Sequence, residues 1–470
     1  MSKVIIDAWV SDLTFPGYMD RWHKLAAEFE EAHPEYEVKI KGIDFFGGPQ
    51  EIFQAISEGR GPAIAEYYSY MTQAARDTRN PDGSPRYVPV ERAIGGRDEI
   101  LGEPVVIGDI LPGVKECYTC DGYLTSLPSI ATQVVFCANT TLLDAAGVTE
   151  LPRTWDGVEA ACAAVVGRPG GPSHGITWAN HGYFFQEAIA VQGGLLTNND
   201  NGRTGRATTI DLTTDELMAW VTWWRRLHRA GHYLYTGKIP DWEGNFRVFA
   251  EQQVAMRITS SNDINYMVEA AKSGGFDLDV ARFPYNGDTH YVGNALTGTS
   301  LWLADGLDEA TRDGALAFLQ FTHNPSNAAE RHRANSFVPI TQASFDLLEA
   351  EGWFDRYPYH RVASDQLATY PGRAGADAPA APPVLAALFG DFAGAQDVMT
   401  RAMADVLNHG ADPLARFAEA TIEAQRLLDD YNTESLTTGA RSPSSLRVEY
   451  FRDAEAYSGA DLENVVQLDR

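Results

Sequence analysis

Apolar runs and amphipathic stretches alternate along the first seventy residues. The β-branched run at residues 4–9 and the alternating segment 36–43 are typical of strands. Between them, apolar residues recur at helical spacing over residues 18–33. A second helical stretch, 52–57, precedes a third strand over residues 63–70. This alternation of strands and helices predicts a parallel α/β lobe.

A longer ordered set of signals spans residues 127–155. Residues 127–136 predict a strand that contains an apolar, β-branched and aromatic run. Asn139 follows as an N-cap of a short helix, and Gly147 fits the end of that helix. Thr154 then stands where the N-cap of a further helix is expected. Later helical patterns include residues 215–232, in which Trp220, Trp223 and Trp224 are assigned to helix packing.

The order of these signals resembles the lobe-crossing segment of extracellular solute-binding proteins of carbohydrate ABC transporters, the maltose-binding and glycerol-phosphate-binding group. Ala146-Gly147 and Pro152-Arg153-Thr154-Trp155 match that family's pattern, whereas Phe136-Cys137-Ala138-Asn139 replaces its usual double aromatic. The turn Gly59-Arg60-Gly61-Pro62 and the Asn324-Pro325 pair between two helices also match. The resemblance covers about residues 3–432.

The resemblance implies an α/β, two-lobed periplasmic-binding-protein-like fold of type II, with a ligand cleft between the lobes. Residues 1–131 with 283–325 are expected to form lobe 1, and residues 132–282 with 326–432 lobe 2. Residues 433–470 form a C-terminal tail with a linker-like start, and partial disorder is expected there. The implied function is capture of a carbohydrate, polyol or glycerol-phosphate derivative by hinge closure, followed by delivery to ABC permease subunits in the membrane.

The resemblance also suggests which side chains contact the ligand. Sugars and polyols present C–H faces that stack on aromatic rings and hydroxyls that need hydrogen-bond partners, so aromatic and small polar residues at strand ends are the candidates. They are Trp9, Ser11, Asp12, Glu66, Tyr67, Tyr68, Tyr70, Thr132, Tyr183, Trp242, Ser260, Asn262, Gly298, Phe337, Asp391 and Phe392. No cluster of Arg or Lys marks a phosphate site, and only Arg257 and Arg282 lie near the relevant loops.

Net charge narrows the range of partners. The formal charge of −27 argues against nucleic acid and anionic membrane surfaces, which attract basic patches. No run of about 18 apolar residues is present. We expect a monomer, located in the periplasm or on the cell surface if a signal peptide has been removed, and in the cytoplasm if Met1 is the native start.

Other motifs give little support for catalysis or for a bound metal. Gly171-Pro172-Ser173-His174-Gly175 matches a nucleophile motif but lacks the strand before it and the helix after it. His228 and His232 have the spacing of a zinc pair without a third ligand, and Cys117 and Cys120 are either two thiols or one local disulfide. We expect no catalytic residue, metal or cofactor.

Two other functional classes stay open at this stage. One is an intracellular enzyme or ligand-dependent factor that reuses the solute-binding fold, suggested by the missing signal peptide and the extra tail. The other is a glycoside-processing enzyme, which needs a pair of carboxylates that the sequence does not single out.

Overall fold

The computed structural model describes residues 2–13, 15, 17–44, 48–367 and 384–438. The strands, in chain order, are β1 Val4–Asp12, β2 Tyr36–Asp44, β3 Ile64–Tyr68, β4 Tyr87–Val88, β5 Glu99–Ile100, β6 Glu103–Pro104, β7 Thr119–Cys120, β8 Tyr123–Leu124, β9 Leu127–Thr132, β10 Val134–Asn139, β11 His174–Thr177, β12 Val254–Ser260, β13 Leu278–Arg282 and β14 Thr297–Ala304.

The α-helices are α1 Tyr18–Ala32, α2 Gly48–Ser57, α3 Thr72–Asp77, α4 Val90–Ile94, α5 Pro112–Cys117, α6 Thr140–Ala145, α7 Trp155–Val165, α8 Gly182–Ala190, α9 Asn198–Gly202, α10 Asp215–Arg229, α11 Trp242–Ala250, α12 Ile264–Gly274, α13 Glu309–Phe321, α14 Pro325–Asn335, α15 Gln342–Ala350, α16 Trp353–Arg356, α17 Arg361–Leu367, α18 Phe392–His409 and α19 Pro413–Thr438. Short 3₁₀ turns lie at Ser69–Met71, Ser261–Asp263 and Pro358–His360.

Two sheets organise the chain. The first has six strands in the order β2-β1-β3-β14-β4, with β9 also paired to β14. Strand β1 runs parallel to β2 and β3, whereas β14 is antiparallel to its neighbours. The second sheet has the order β11-β12-β10-β13. We call each sheet, together with the helices packed on it, the first and the second lobe, and this arrangement confirms the two-lobed α/β prediction.

The first passage of the chain from one lobe to the other is a single residue. Thr132 ends β9 in the first sheet and Val134 begins β10 in the second, so Gln133 alone connects them. Gln133 is fully buried, and its backbone N–H and C=O both bond to Ser261, at 3.2 and 2.8 Å. The return passage, residues 283–296, ends where Thr297 pairs with Thr132. The two passages therefore form a hinge that lies next to the cleft.

Several local predictions from the sequence are confirmed. The side chain of Asn139 accepts a hydrogen bond from the Leu142 N–H, and the side chain of Thr154 accepts one from the Gly157 N–H, as N-caps do. One prediction is wrong. The residue pattern over 382–389 predicts a helix, but residues 384–389, the part of this range that the structure describes, are not helical.

The structure gives contacts at two boundaries of the predicted domains, at residue 326 and at residue 433. Val338 N–H donates to the Ala131 carbonyl at 2.9 Å, and Arg331 donates to the Ser129 carbonyl at 2.7 Å. We therefore describe α14 and residues 336–338 with the first lobe, although the sequence division put residues 326–432 in lobe 2. Helices α18 and α19 pack on α8 and α10 of the second lobe. The predicted tail begins inside α19, and residues 439–470 lie outside the described part of the chain.

Tryptophan packing forms the centre of the second lobe. The assignment of Trp220, Trp223 and Trp224 to helix packing is confirmed, since all three are buried against one another and against Trp178. The ring of Trp178 also lies 4.4 Å from that of Tyr233, centroid to centroid. A cluster of this kind buries a large apolar area in one place.

We expect Trp178→Ala to lower the free energy of unfolding by about 3–5 kcal/mol, because the substitution leaves a cavity among rings that are fully buried. Denaturant unfolding followed by circular dichroism measures this change. Ile422→Ala serves as the control, since Ile422 is 72% exposed and should change stability by less than about 0.5 kcal/mol. A loss below about 1 kcal/mol for Trp178→Ala would contradict the central role of the cluster.

Candidate ligand-binding cleft

A cavity of about 70 Å³ lies between the lobes beside the hinge. Its walls come from the ends of strands, from the first turns of helices and from the loop after β1. The lining residues are Leu13, Phe15, Tyr68, Ser69, Tyr70, Thr132, His181, Tyr183, Gln186, Trp242, Ser260, Asn262, Thr297, Phe337, Ala393, Gln396 and Asp397.

Hydroxyl groups gather at the hinge end of the cavity. The Oγ1 atoms of Thr132 and Thr297 are 3.0 Å apart, across the two passages between the lobes. The hydroxyl of Tyr183 lies within reach of those of Thr132, Ser260 and Thr297. Burial raises the pKa of Tyr183 to about 12, so its O–H stays protonated and able to donate. This end of the cavity suits a ligand that both donates and accepts hydrogen bonds.

Aromatic rings form the opposing walls. Tyr68 ends β3, Tyr70 lies in the 3₁₀ turn that follows, and their rings stack with centroids 5.3 Å apart. Trp242, the first residue of α11, has its ring 6.4 Å from that of Tyr183. Phe337 follows α14 and belongs to the core cluster of buried apolar side chains. These rings give the cavity flat apolar faces on the sides contributed by both lobes.

Close packing of α8 on α18 brings further polar groups to the cavity. A Cβ atom on Gly182 would lie 2.4 Å from the Cβ of Gln396, so this position admits only glycine without a shift of one helix. The contact places Gln186 of α8 opposite Gln396 and Asp397 of α18 in the lining. The cavity therefore holds amide groups and a carboxylate as well as hydroxyls.

His181 adds a neutral hydrogen-bonding group. Its Nδ1 accepts the Tyr183 N–H at 3.1 Å as the N-cap of α8, which leaves the proton on Nε2. Burial lowers the pKa of His181 to about 4, so the ring carries no charge at neutral pH.

The structure brings half of the sequence-predicted contact residues to this cavity. They are Tyr68, Tyr70, Thr132, Tyr183, Trp242, Ser260, Asn262 and Phe337. Their role as ligand contacts stays a prediction.

The remaining candidates from the first lobe lie outside the lining. Trp9 packs under the Lys41 ammonium, 3.7 Å from its ring centroid, and Tyr67 bonds to the Tyr87 hydroxyl at 2.7 Å in the core. Glu66 is buried, accepting hydrogen bonds from the Ser11 N–H and the Thr299 hydroxyl, and desolvation raises its pKa. Asp12 pairs with Asp44 at the end of the β1–β2 ladder.

Three further candidates have structural positions near the cleft. Gly298 lies against β9, where an added Cβ would come 1.9 Å from the Ile130 carbonyl oxygen. Asp391 caps α18 by accepting the Gly394 N–H at 3.2 Å, and burial raises its pKa to about 6. Phe392 packs in the second lobe with its ring 4.5 Å from that of Phe389.

The sequence reasoning did not select several lining residues. Gln186, Gln396 and Asp397 stand on helices, where a polar residue in an amphipathic pattern is normally assigned to solvent. Phe15 and Thr297 could have been selected from their positions at strand ends. Phe15 follows the first strand, and Thr297 starts the return strand.

The other motifs do not contribute to the cavity. Arg257 is buried and pairs with Asp263 at 3.1 Å, and Arg282 lies over the Tyr291 ring. The thiols of Cys117 and Cys120 are free and buried, which decides between the two alternatives left by their spacing. In the parts of the chain described above, no cluster of His, Cys, Asp or Glu is placed to hold a metal ion, and no helix is both long and apolar enough to cross a membrane.

Comparison with known proteins places the chain in a family. The model of the bacterial extracellular solute-binding protein family matches residues 24–360. The chain belongs to this family. This solute-binding protein is 26% identical to the sn-glycerol-3-phosphate-binding periplasmic protein UgpB of Salmonella typhimurium over 357 residues, which cover 74% of this chain and 77% of that protein. The UgpB protein of Escherichia coli K12 is also 26% identical, over 360 residues.

Solved structures share the fold at lower identity. The sugar-binding protein MalE of Xanthomonas citri superposes with a TM-score of 0.71 at 14% identity, covering 93% of this chain and 100% of that one. The GacH receptor of Streptomyces glaucescens, solved with acarbose, gives 0.69 at 18% identity, covering 92% and 100%. UgpB of Mycobacterium tuberculosis, solved with glycerophosphocholine, gives 0.67 at 19% identity, covering 91% and 99%.

Buried neutral histidines near the cleft predict acid sensitivity. Desolvation lowers the pKa of His332, whose Nδ1 bonds to the Phe337 carbonyl at 2.7 Å, from 6.5 to about 4. Below pH 6.5 the unfolded chain binds more protons than the folded one, so stability is lost as pH falls toward 4. We expect His332 to contribute roughly 3 kcal/mol to this loss.

Unfolding free energies measured from pH 7 to pH 4 test this expectation, with His332→Gln showing a smaller fall than the wild type. The exposed His23 provides the matched variant, because His23→Gln should leave the pH dependence unchanged. Equal pH slopes for His332→Gln and the wild type would contradict the assignment.

Proposed function

We propose that this solute-binding protein captures a sugar or polyol of about monosaccharide size and delivers it to the permease of an ABC importer outside the cytoplasm. The observation that carries the proposal is the cavity lining. Stacked aromatic rings alternate there with hydroxyl and amide groups, and both lobes contribute to it. Acarbose and glycerol-3-phosphate, which similar proteins bind, support a polyhydroxylated class of ligand.

Ring faces and hydroxyl groups match the two kinds of surface that a sugar presents. C–H faces pack on Tyr68, Tyr70 and Trp242, while hydroxyls pair with the Tyr183 O–H and the neighbouring threonines. A cavity needs about 10–15 Å³ of volume to hold one water molecule. The cavity of about 70 Å³ therefore suits a monosaccharide or smaller polyol better than an oligosaccharide.

The charge of the lining favours a neutral ligand over a phosphate ester. Among the described residues that line the cavity there is no Lys or Arg, and Asp397 carries a carboxylate. His181 stays neutral at physiological pH. A phosphate is normally paired with guanidinium or ammonium groups, which offset its desolvation.

Ligand capture on this fold follows from the position of the hinge. A ligand that touches Tyr70 on the first lobe and Trp242 on the second gains its full contacts only when the lobes are closed, so it shifts the population toward closure. The closed surface is then what a permease recognises.

Binding of candidate ligands tests the proposal directly. We expect isothermal titration calorimetry to detect a monosaccharide or polyol that binds with one-to-one stoichiometry, with glycerol-3-phosphate at least tenfold weaker because the lining offers it no cation. Recovery of the ligand unchanged distinguishes capture from hydrolysis. Tight binding of glycerol-3-phosphate with no response to any neutral sugar or polyol would overturn the proposed ligand class.

Two tryptophans provide a matched pair of variants for the same titration. Trp242→Leu removes a stacking face and should weaken the ligand by about 2 kcal/mol, or roughly thirtyfold. Trp9→Leu removes an equally large ring that lies outside the lining and should change Kd by less than about twofold. The reverse order of effects would place the ligand beside Trp9 on β1, outside this cavity.

An ion pair between the lobes should set the affinity without touching the ligand. Arg206 of the second lobe donates to both carboxylate oxygens of Asp77 in α3, at 2.6 and 3.0 Å, and the Tyr431 hydroxyl donates to the same carboxylate at 3.0 Å. Asp77 is buried, so the loss of these donors would leave its carboxylate with fewer hydrogen-bond partners away from water. These contacts join the two lobes, so we expect them to be lost when the lobes open.

We expect Asp77→Asn to weaken ligand binding about tenfold, because the closed state loses about 1.4 kcal/mol of the charge-assisted bonds that favour it. Calorimetry gives the affinity, and small-angle scattering of the ligand-free protein should show a larger radius of gyration than for the wild type. Glu58→Gln, which breaks an exposed pair with Arg60 within one lobe, is the control. An unchanged Kd for Asp77→Asn would rule out this contact as a closure element.

A further inference from the structure

A second, larger concavity lies between the lobes, apart from the cavity beside the hinge, which we call the sugar cavity after its proposed ligand. It encloses about 730 Å³, within the range of about 300–1,000 Å³ typical of ligand pockets. The first lobe contributes α3 and the β7–β8 hairpin, and the second lobe contributes residues 200–206 with Leu385 and Leu388. We call it the arginine chamber. None of the residues that line the sugar cavity lines it.

Five arginines converge on the chamber, which is unexpected for this composition. Arg76, Arg79 and Arg92 come from the first lobe, and Arg203 and Arg206 come from the second. The whole chain has 64 acidic and only 37 basic residues, with a net charge of −27. An average stretch of its surface is therefore acidic, whereas this one concentrates guanidinium groups from two separate lobes.

Carboxylates offset only part of this charge. Asp77 neutralises Arg206, and Asp121, which is 83% exposed, pairs with Arg76 at 2.7 Å. Glu116 and Asp200 also face the chamber, and both are exposed at the surface. Five guanidinium groups thus face four carboxylates, which leaves the lining with one net positive charge.

The other three arginines have partners that leave their charge in place. Arg203 donates to the Ala386 carbonyl and, at 2.8 Å, to the Cys117 carbonyl. Arg79 donates to the carbonyls of Arg76 and Thr78. Backbone carbonyls satisfy N–H groups but do not neutralise a guanidinium, and they hold it in one orientation.

The guanidinium of Arg92 lies 4.0 Å from the centroid of the Tyr123 ring. An aromatic ring attracts a cation without neutralising it, so Arg92 also keeps its positive charge. Tyr87 and Trp302 form part of the chamber wall and are buried in the first lobe. The walls therefore combine fixed guanidinium groups with aromatic surface, a combination suited to a compact anion with several oxygens.

We propose that the arginine chamber is a second ligand site, which takes a small phosphate-bearing polyanion. Fixed guanidinium groups pair with phosphate oxygens through two parallel N–H donors, and that geometry distinguishes a phosphate from a neutral solute. Because Arg79 and Arg92 belong to one lobe and Arg203 to the other, an anion bound there bridges the lobes. Its occupation stabilises the closed state and so couples to sugar binding.

Pyrophosphate is the probe that tests the chamber without any sugar present. We expect calorimetry on the full chain to show one bound pyrophosphate, with a Kd that rises as sodium chloride is added, because salt screens the guanidinium charges. The double variant Arg79→Gln/Arg92→Gln alters only exposed side chains and should raise that Kd at least tenfold. Arg401→Gln, on α18 with its nearest acid at 3.8 Å, is the matched control and should leave it unchanged.

Chemical modification provides a measurement that depends on no variant. Phenylglyoxal labels accessible arginines, and we expect pyrophosphate to protect Arg79 and Arg92 while Arg401 stays reactive. Absence of binding at millimolar pyrophosphate, or equal binding by the double variant and the wild type, would overturn the proposal. Displacement of pyrophosphate by a bound sugar or polyol would also overturn it, since one cleft would then serve both ligands. Preference for citrate over pyrophosphate would assign the chamber to carboxylates and reject the phosphate class.

Discussion

The pairing of Thr132 with Thr297 at the hinge is the constraint on which the rest of the structure depends. Both passages between the lobes run side by side at this point, and the two hydroxyls are 3.0 Å apart. Since Gln133 alone separates the strands of the two sheets, the lobes cannot move far apart at this end. Motion is left to the far end of the cleft, where the lobes meet through side chains such as Arg206 and Asp77.

Burial explains most of the chemistry of the cleft. The Tyr183 hydroxyl and the His181 ring are both removed from water, so both stay neutral at physiological pH and act as hydrogen-bonding groups instead of charges. Charged groups are instead concentrated where the lobes close. Neutral hydrogen-bonding groups thus line the cavity, while the ion pair between Arg206 and Asp77 joins the lobes outside it.

Helices α18 and α19 lie beyond the part of the chain that the family model matches, yet both contribute to the contacts between the lobes or to the cavity. That match ends at residue 360, yet α18 contributes Gln396 and Asp397 to the cavity and α19 places Tyr431 on Asp77. Family membership therefore defines the scaffold and the general activity. Helices beyond the matched residues thus supply part of the cavity lining and part of the contact between the lobes.

Local signals in the sequence determined the elements and their caps. Asn139 and Thr154 cap helices because a short polar side chain before an apolar helical period can accept a hydrogen bond from an N–H group of the first turn. The apolar residues after Pro128 form β9 in the first lobe and β10 in the second. The ends of strands were likewise predictable as sites, and Tyr68, Thr132 and Ser260 are found in the cavity.

Tertiary structure alone decided which of those ends face the cleft. Trp9 and Tyr67 lie near strand ends of the same sheet, but the alternation of side chains along a strand turns them toward the other face, into the core. Gln396 and Asp397 gave no signal, because their approach to the cavity depends on the absence of a side chain at Gly182, more than two hundred residues away in the sequence. The arginine chamber is a further example, since its charges come from two lobes whose docking no local pattern encodes.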